Sequence, residues 1–379
     1  MKIIDRYLLR QFLQTFLICY LSLTGLYIVF DAFTNLDEFM RCGEKAGGLF
    51  RLLWSFYSYQ SILFFERSSG LLALVAAMFT VAWIQRHNEM TALMAAGIAR
   101  VRVVSPVIAA AMLIAAVSIV VREGVTPRFR DQLARKPTDP IGDVGQAMQP
   151  VYDNETDILL RGKATYLDGK RIEAPSFLLP PRLDAYGAQL QAASAFYKPA
   201  EGNRPPGYLL DAVSEPADLA GKPSLRLGDR PVVVTPRDAA WLRPNQCFVV
   251  SNVAFEQLSS GGRAFRQFAS TRELIRAARN PSLDFGPDLR VAIHARFVQP
   301  LLDVTLLFLG LPLVVARDDR NIFLAIGVCL AVVVAFLLVV MGFQYLGANY
   351  ALLSPAMAAW APLFIFVPAA VWFSEPMFE

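Results

Sequence analysis

Long apolar runs alternate with one broad polar stretch along this chain, and the order of those blocks predicts its architecture. Residues 13–30, 68–84 and 103–121 hold no Asp, Glu, Lys or Arg, residues 297–316 hold only Asp303, and residues 321–374 hold none. A helix needs about 20 apolar residues to cross the hydrocarbon of a bilayer. The last run is long enough for two crossings, with a break predicted near Gly347-Ala348-Asn349 and Ser354-Pro355. Three spans, a polar insert from about Arg122 to Ala295, and three further spans follow in order.

Within the insert the period changes from helical to two. Residues 157–167 and 171–179, around Asp168-Gly169-Lys170, read as two strands joined by a tight turn. Residues 186–197, 206–213, 231–236 and 246–255 read as further strands bounded by Pro, Gly and Asn. Many short strands with turn signals predict an antiparallel sandwich or open jelly roll. Ser270-Thr271-Arg272-Glu273 has the spacing of a capping box and starts a short helix that ends near Asn280-Pro281. The chain returns to the membrane at Leu289.

Composition supports the membrane reading: 55% of residues are apolar and 18% charged, against about a quarter charged in soluble domains. The net charge of +4 is small and the basic residues are scattered, which argues against nucleic acid as a partner. No cleavage site of A-x-A type follows the first apolar run, so a retained first helix is expected.

Charges beside the spans set the orientation. Lys2, Arg6 and Arg10 precede the first span; Arg86, Arg100 and Arg102 lie between the second and third, and Arg317 and Arg320 between the fourth and fifth. On the other side, Arg41, Lys45 and Arg51 are offset by Asp31, Asp37, Glu38 and Glu44, and the last link has no basic residue. Both termini are expected in the cytoplasm and the insert outside it. The expected fold is an α-helical membrane protein with six transmembrane helices, three plus three, and an inserted extracytoplasmic antiparallel β-jellyroll domain. Its parts are a first membrane half at 1–122, the β-domain at 123–290 and a second membrane half at 291–379.

Catalytic chemistry is not evident. The two histidines, His87 and His294, fall on opposite sides of the membrane in this topology, and no Cys/His cluster has zinc spacing. There is no Gly-x-Ser-x-Gly elbow. Gly162-Lys163 and Gly169-Lys170 lack the preceding glycine of a phosphate-cradling loop. Neither cofactor nor metal is expected, and energy for any transport must come from a partner. Cys19 and Cys329 read as packing residues within spans; Cys42 and Cys247 both fall outside the cytoplasm in this topology, where a disulfide is chemically possible, but their positions do not resemble a disulfide framework.

Four membrane-associated features remain. Ile3, Ile4, Tyr7, Leu8 and Gln11 share one side of an N-terminal helix and Lys2, Arg6 and Arg10 another, which suits an interfacial helix or an ordinary basic flank. Asp303, costly in hydrocarbon, is expected to pair with Arg296 or Arg67, or to act in transport. Glu66-Arg67 reads as a snorkelling interface pair, and Pro300, Pro312, Pro362 and Pro368 as bends. The link from Arg86 to Arg100 predicts a short helix over 88–97, with Asn88 as N-cap, Glu89 complementing the dipole and Gly97 as the stop. Met90, Leu93, Met94 and Gly97 are then available to one face, as a contact element for a cytoplasmic motor; the alternative is a mere turn.

Asp5-Arg6-Tyr7-Leu8-Leu9-Arg10-Gln11-Phe12, the link Asn88-Glu89-Met90-Thr91-Ala92-Leu93-Met94-Ala95-Ala96-Gly97-Ile98, and His294-Ala295-Arg296-Phe297-Val298-Gln299-Pro300-Leu301 resemble the LptF/LptG permease family, as does the short helix before the fourth span. The resemblance implies a subunit of the lipopolysaccharide-exporting ABC transporter of the bacterial inner membrane. Implied partners are a second LptF/LptG-type permease, an LptB-type ATPase dimer, an LptC-type membrane helix, a periplasmic LptA-type jellyroll bridge and the glycolipid itself. It places Glu89 and its helix, with Met90, Leu93, Met94 and Gly97, in the ATPase groove. It also implies a lipid-accepting cavity bounded by the first and fifth spans, with Ile28, Arg41, Lys45 and Arg296 as lipid-contact candidates. In the family, basic residues near the outer end of the first span contact lipid phosphates. Here Asp31, Asn35, Asp37 and Glu38 occupy that stretch, and Arg41 and Lys45 come later. Prolines usually open the family's second span, and residues 57–70 have none. A different class, a membrane-anchored receptor or scaffold whose β-domain moves no lipid, would lack a partner ATPase.

Overall fold

The computed structural model describes residues 3–142, 144–202, 204–258, 262–315, 322–349 and 353–378. Arg317 and Arg320, counted above in the fourth-to-fifth link, lie outside them. The chain divides into two compact units: Met1–Thr34, Trp54–Arg128 and Gly286–Glu379 form one, and Asn35–Leu53 with Phe129–Phe285 the other.

The first unit is helical. α1 (Ile3–Thr34), α2 (Leu36–Lys45), α3 (Leu49–Arg86), α4 (Glu89–Ala95) and α5 (Arg100–Val120) open the chain, and α2 falls in the second unit. Among the described residues six helices are long and apolar enough to cross a membrane. They outrun the apolar segments because a helix satisfies its own backbone polar groups whatever its side chains. α3 extends well before residue 68 and carries Glu66 and Arg67 inside it. α1 runs without a turn from Ile3, and its Leu8 and Phe12 are buried in the helical core. Small residues of α3 (Ala73, Ala76 and Ala77) are also buried there, which lets neighbouring helices approach closely. An aromatic seam joins α1 to α3: Tyr20 stacks edge-on to Phe65, and its hydroxyl donates to the Ser61 carbonyl at 2.9 Å. Tyr57 donates to Asp31 at 2.7 Å, so this carboxylate near the end of α1 has an internal partner.

The second unit is built on one antiparallel sheet. Its strands are β1 (Gln146–Ala147), β2 (Val151–Asp153), β3 (Ile158–Leu160), β4 (Ala164–Tyr166), β5 (Arg171–Glu173), β6 (Ser176–Leu178), β7 (Gln189–Lys198), β8 (Gly207–Glu215), β9 (Leu225–Leu227), β10 (Arg230–Val234) and β11 (Cys247–Val250). The main path runs β1-β4-β5-β7-β8-β11-β10-β9, while β2, β3 and β6 continue the line from β7. The order β8-β11-β10-β9 is a Greek key: three hairpin-linked strands with the earlier one beside the last.

The turn at Asp168-Gly169-Lys170 forms as expected between β4 and β5, but each predicted strand of that hairpin is split in two. Ala174, at φ +45°, and Pro175 interrupt the ladder between β5 and β6. The strand expected to reach residue 255 stops at Val250, because a helical turn, α7 (Phe255–Leu258), takes over. β7 alternates over its first half, with Leu190 and Ala192 inward, and the period then slips so that Ala195 is also buried. They meet Phe177, Tyr208, Leu210 and Val249 in one apolar core.

Before the sheet comes α6 (Arg130–Leu133), and after it α8 (Arg263–Phe268) and α9 (Thr271–Ala278). The capping box of α9 is complete: Ser270 Oγ accepts from the Glu273 amide, and Glu273 accepts from the Ser270 amide at 2.8 Å. α10 (Gly286–Val315), α11 (Ile322–Asn349) and α12 (Pro355–Phe378) complete the helical unit. The break between α11 and α12 falls where the sequence put it, and α10 continues as helix through Pro300 and Pro312. Cys19, Cys42, Cys247 and Cys329 are all free thiols.

Candidate functional site

Two places in the helical unit gather polar groups, and they differ in construction. The first is α4, held between α3 and α5 by short turns. Gly97 stops it in a Schellman arrangement: at φ +77°, it donates to the Met94 carbonyl at 2.9 Å, and Ile98 donates to that of Leu93 at 3.1 Å. Asn88 stands at the N-cap position, but its side chain makes no capping bond. Its backbone is left-handed (φ +57°) and its amide donates to the Gln85 carbonyl, so it serves to end α3. Asn tolerates that conformation better than other side chains.

The face of α4 expected to be available is turned inward. Met90 is buried in the helical core, and Leu93 and Met94 pack partly against it. Of that face Gly97 is exposed, and Thr91, Ala92, Ala95 and Ala96 are exposed beside it. Glu89, in the first turn, is half-buried and accepts from the Tyr7 hydroxyl at 3.3 Å. Asp5 pairs with Arg102 at 3.0 Å, so two side chains of α1 clasp the segment from α4 to α5. Gln85 donates to the Val314 carbonyl at 3.1 Å, adding the end of α10 to the same assembly.

The second place is a cavity of about 280 Å³ among α3, α5, α10 and α11, whose polar lining includes Glu66, Arg67, Ser118, Arg122, Gln299 and Asp303. The pairing expected for Asp303 with Arg296 or Arg67 is not made. Its hydrogen bond comes from Gln299 one helical turn back, at 2.9 Å. Such a bond is available on any helix at that spacing, whereas Arg67 would have to reach across from α3, and Arg296 stands about two turns back on α10. The cation whose field reaches both Asp303 and Glu66 is Arg122. It stands in a π-helical turn, Val121–Val125, donates to the Arg296 carbonyl at 3.0 Å and lies 3.6 Å from Glu123. Gly70 makes the close approach of α3 to α10 feasible: a Cβ there would lie 2.7 Å from Asp303 Oδ1. Glu66 is therefore part of an internal polar cluster, not a snorkelling pair with Arg67. A sequence signal existed, since Glu66, Arg122 and Arg296 each flank an apolar run on the insert side.

The four lipid-contact candidates are not one cluster. Ile28 is half-buried on α1 and Arg296 half-buried on α10, both in the helical unit. Arg41 and Lys45 lie exposed on α2 in the other unit, where Arg41 pairs with Glu38 at 3.2 Å. Among the described residues no group of three or more His, Cys, Asp and Glu side chains is placed to hold a metal ion.

Six apolar helices, an antiparallel sheet domain inserted between the third and fourth, and a polar cluster among the spans define a multi-pass membrane permease. The family model described as lipopolysaccharide export system permease LptF/LptG matches residues 6–139 and 200–375, and the chain belongs to that family. No curated protein is similar enough to match it. Family membership makes the chain a non-catalytic permease for lipopolysaccharide export and, in general terms, a partner in an ABC transporter.

Proposed function

We propose that this chain is one of two LptF/LptG-type permeases that together extract lipopolysaccharide or a related glycolipid from the bacterial inner membrane and pass it to a periplasmic jellyroll bridge. An LptB-type ATPase dimer supplies the energy from the cytoplasm, an LptC-type helix joins at the side, and an LptA-type domain accepts the lipid. The insert then lies in the periplasm, and α4 and both termini in the cytoplasm. Ile28 and Arg296 in the helical unit, and Arg41 and Lys45 on α2, are the positions proposed to meet lipid.

The observation that carries this reading is the anchoring of α4. With Met90 buried and Leu93 and Met94 packed inward, the helix cannot slide over its own core. A push on its exposed alanine face therefore moves α3 and α5 together. Glu89 offers the charge for a basic partner in the ATPase groove. Removing one member of a hydrogen-bonded charge pair at a docking face costs about 2–5 kcal/mol, because the other is left unpaired.

The test is co-purification of the ATPase together with transfer of lipid to an acceptor jellyroll. Glu89→Ala is expected to weaken docking or uncouple hydrolysis from lipid release, and Glu89→Lys to do so more strongly, with membrane insertion unchanged. Wild-type values of both readouts in Glu89→Lys would falsify the coupling role. A chain that never recruits an ATPase would instead fit the scaffold class.

A further inference from the structure

The second unit contains a cavity that neither the family match nor the transport reading accounts for. It measures about 970 Å³ and opens between α7, α8 and α9 on one side and the ends of β7 and β8 on the other. Its charged lining is Arg130, Lys170, Glu256, Glu273, Arg276 and Arg279. Two of the cations are already occupied. Arg130 bridges Glu256 at 3.2 Å and Glu273 at 3.4 Å, and Lys170 meets the same Glu256 oxygen at 2.6 Å. Burial works against the charge of Glu256, yet Lys170 and Arg130 outweigh it and hold its carboxyl below the usual range. The internal network is thus closed, and one of its members, Glu273, is also fastened by the capping box of α9.

Arg276 and Arg279 are different. They stand three apart on α9 and its C-cap, hence on one face of the helix, and both are exposed. Among the described residues neither side chain makes a hydrogen bond or an ion pair. Four cations against two carboxylates leave the cavity an excess of two positive charges, carried by these two guanidiniums. A phosphate monoester carries nearly two negative charges at neutral pH and presents the oxygens that a planar guanidinium fork matches. Beside the charges, Tyr197 and Phe265 supply apolar walls, and the volume is in the range of pockets that enclose small molecules. A bare inorganic ion would leave most of that space unfilled.

We propose that this cavity binds a phosphate monoester carried on a saccharide, with Arg276 and Arg279 as its anion clamp and the Arg130–Glu256–Lys170 network as the rigid floor. The saccharide phosphate is either a soluble molecule or the head of a lipid. The site does not depend on the transport reading, because a soluble probe tests it directly.

The experiment is titration calorimetry of the full chain in phosphatidylcholine nanodiscs with glucose 1-phosphate, and with glucose as the uncharged control. Saturable binding of the phosphate ester at millimolar or lower concentration, and none of glucose, is expected. Arg276→Gln/Arg279→Gln should weaken it at least about tenfold with an unchanged melting temperature. Arg276→Lys/Arg279→Lys, which keeps charge but loses the fork, should fall between. Arg226→Gln/Arg237→Gln removes the same charge elsewhere on the unit and should leave affinity unchanged. Absence of saturable binding, equal affinity in Arg276→Gln/Arg279→Gln, or equal loss in the control pair would each overturn the site; the second outcome would leave the arginines serving only the dipole of α9. Repeating the titration in nanodiscs containing phosphatidic acid assigns the source. Competition seen in the wild type and absent in the Gln pair supports a lipid head as ligand, and no competition supports a soluble one.

Discussion

The two units of this chain solve opposite problems with the same amino acids. The insert keeps its apolar side chains inside, with Phe177, Tyr208, Ile172 and Leu210 fully buried, and places its charges at the surface or in closed networks. The helical unit shows much of its apolar surface, including Leu17, Ile18, Leu21, Phe30, Leu338 and Trp372, and turns Glu66, Arg122 and Asp303 toward an internal cavity. The difference teaches what each unit meets. In water, burying apolar area is the driving force; in lipid that force between helices vanishes, and close packing and internal polar contacts take over.

The largest test of this contrast is in the insert. Phe177→Ala removes a ring that packs edge-on to Tyr208 at 5.9 Å and leaves a cavity in a core built from one sheet. A loss of about 3–5 kcal/mol is expected, read as earlier denaturant-induced loss of the β signal. A still larger ring removed from the exposed face of α12, as in Trp372→Ala, should cost far less in detergent; equal losses would break the comparison.

Next comes the interior of the helical unit. Arg122→Ala removes the cation that acts on both Glu66 and Asp303, Glu66 keeping the fields of Arg67 and Arg296, and a loss of about 3 kcal/mol is expected. Adding Asp303→Asn should recover part of it in a double-mutant cycle on thermal unfolding. Strict additivity would mean that the two side chains do not interact.

A smaller effect distinguishes the charges of the insert. Glu256 has a depressed folded-state pKa, so its contribution is present above the ordinary carboxylate value of 4.5 and is lost as pH falls through the folded one. The wild-type insert should lose stability in that acid range. Glu256→Gln should cost about 1.5 kcal/mol at neutral pH and flatten the acid slope; an unchanged slope would remove Glu256 from the account.

The smallest expected effect is local to α4. Gly97→Ala forces a side chain into the left-handed region, at about 1 kcal/mol. Lipid transfer should fall more than the melting temperature does, if the angle of α4 matters for coupling. Parallel changes in both would restrict Gly97 to a structural part.

The six spans were legible because their signal is compositional and survives errors of several residues. Their ends were not. α3 begins at Leu49 and passes through Glu66 and Arg67, since a helix already hydrogen-bonded to itself continues through charges that find an internal cavity. Alternation revealed β7, β8, β10 and β11, whereas β1, β2 and β9, of two or three residues each, are too short to carry a period. At α4, Glu89 and Gly97 stand where local rules put them. Asn88 holds the expected position by a different mechanism, and Met90 faces the core because amphipathicity does not say which partner covers an apolar face.

The sequence by itself determined the number of spans, the place of the insert, the turn at Asp168-Gly169-Lys170 and the capping box of α9. Each depends on residues adjacent in the chain or on the average character of a segment. Tertiary structure alone decided that Arg122 sits near both Glu66 and Asp303, and that Arg276 and Arg279 face a cavity floored by Arg130 and Lys170. Those arrangements join side chains far apart in the chain, and which of several oppositely charged candidates meet depends on helix depth and sheet register, which the pattern of a single sequence does not encode.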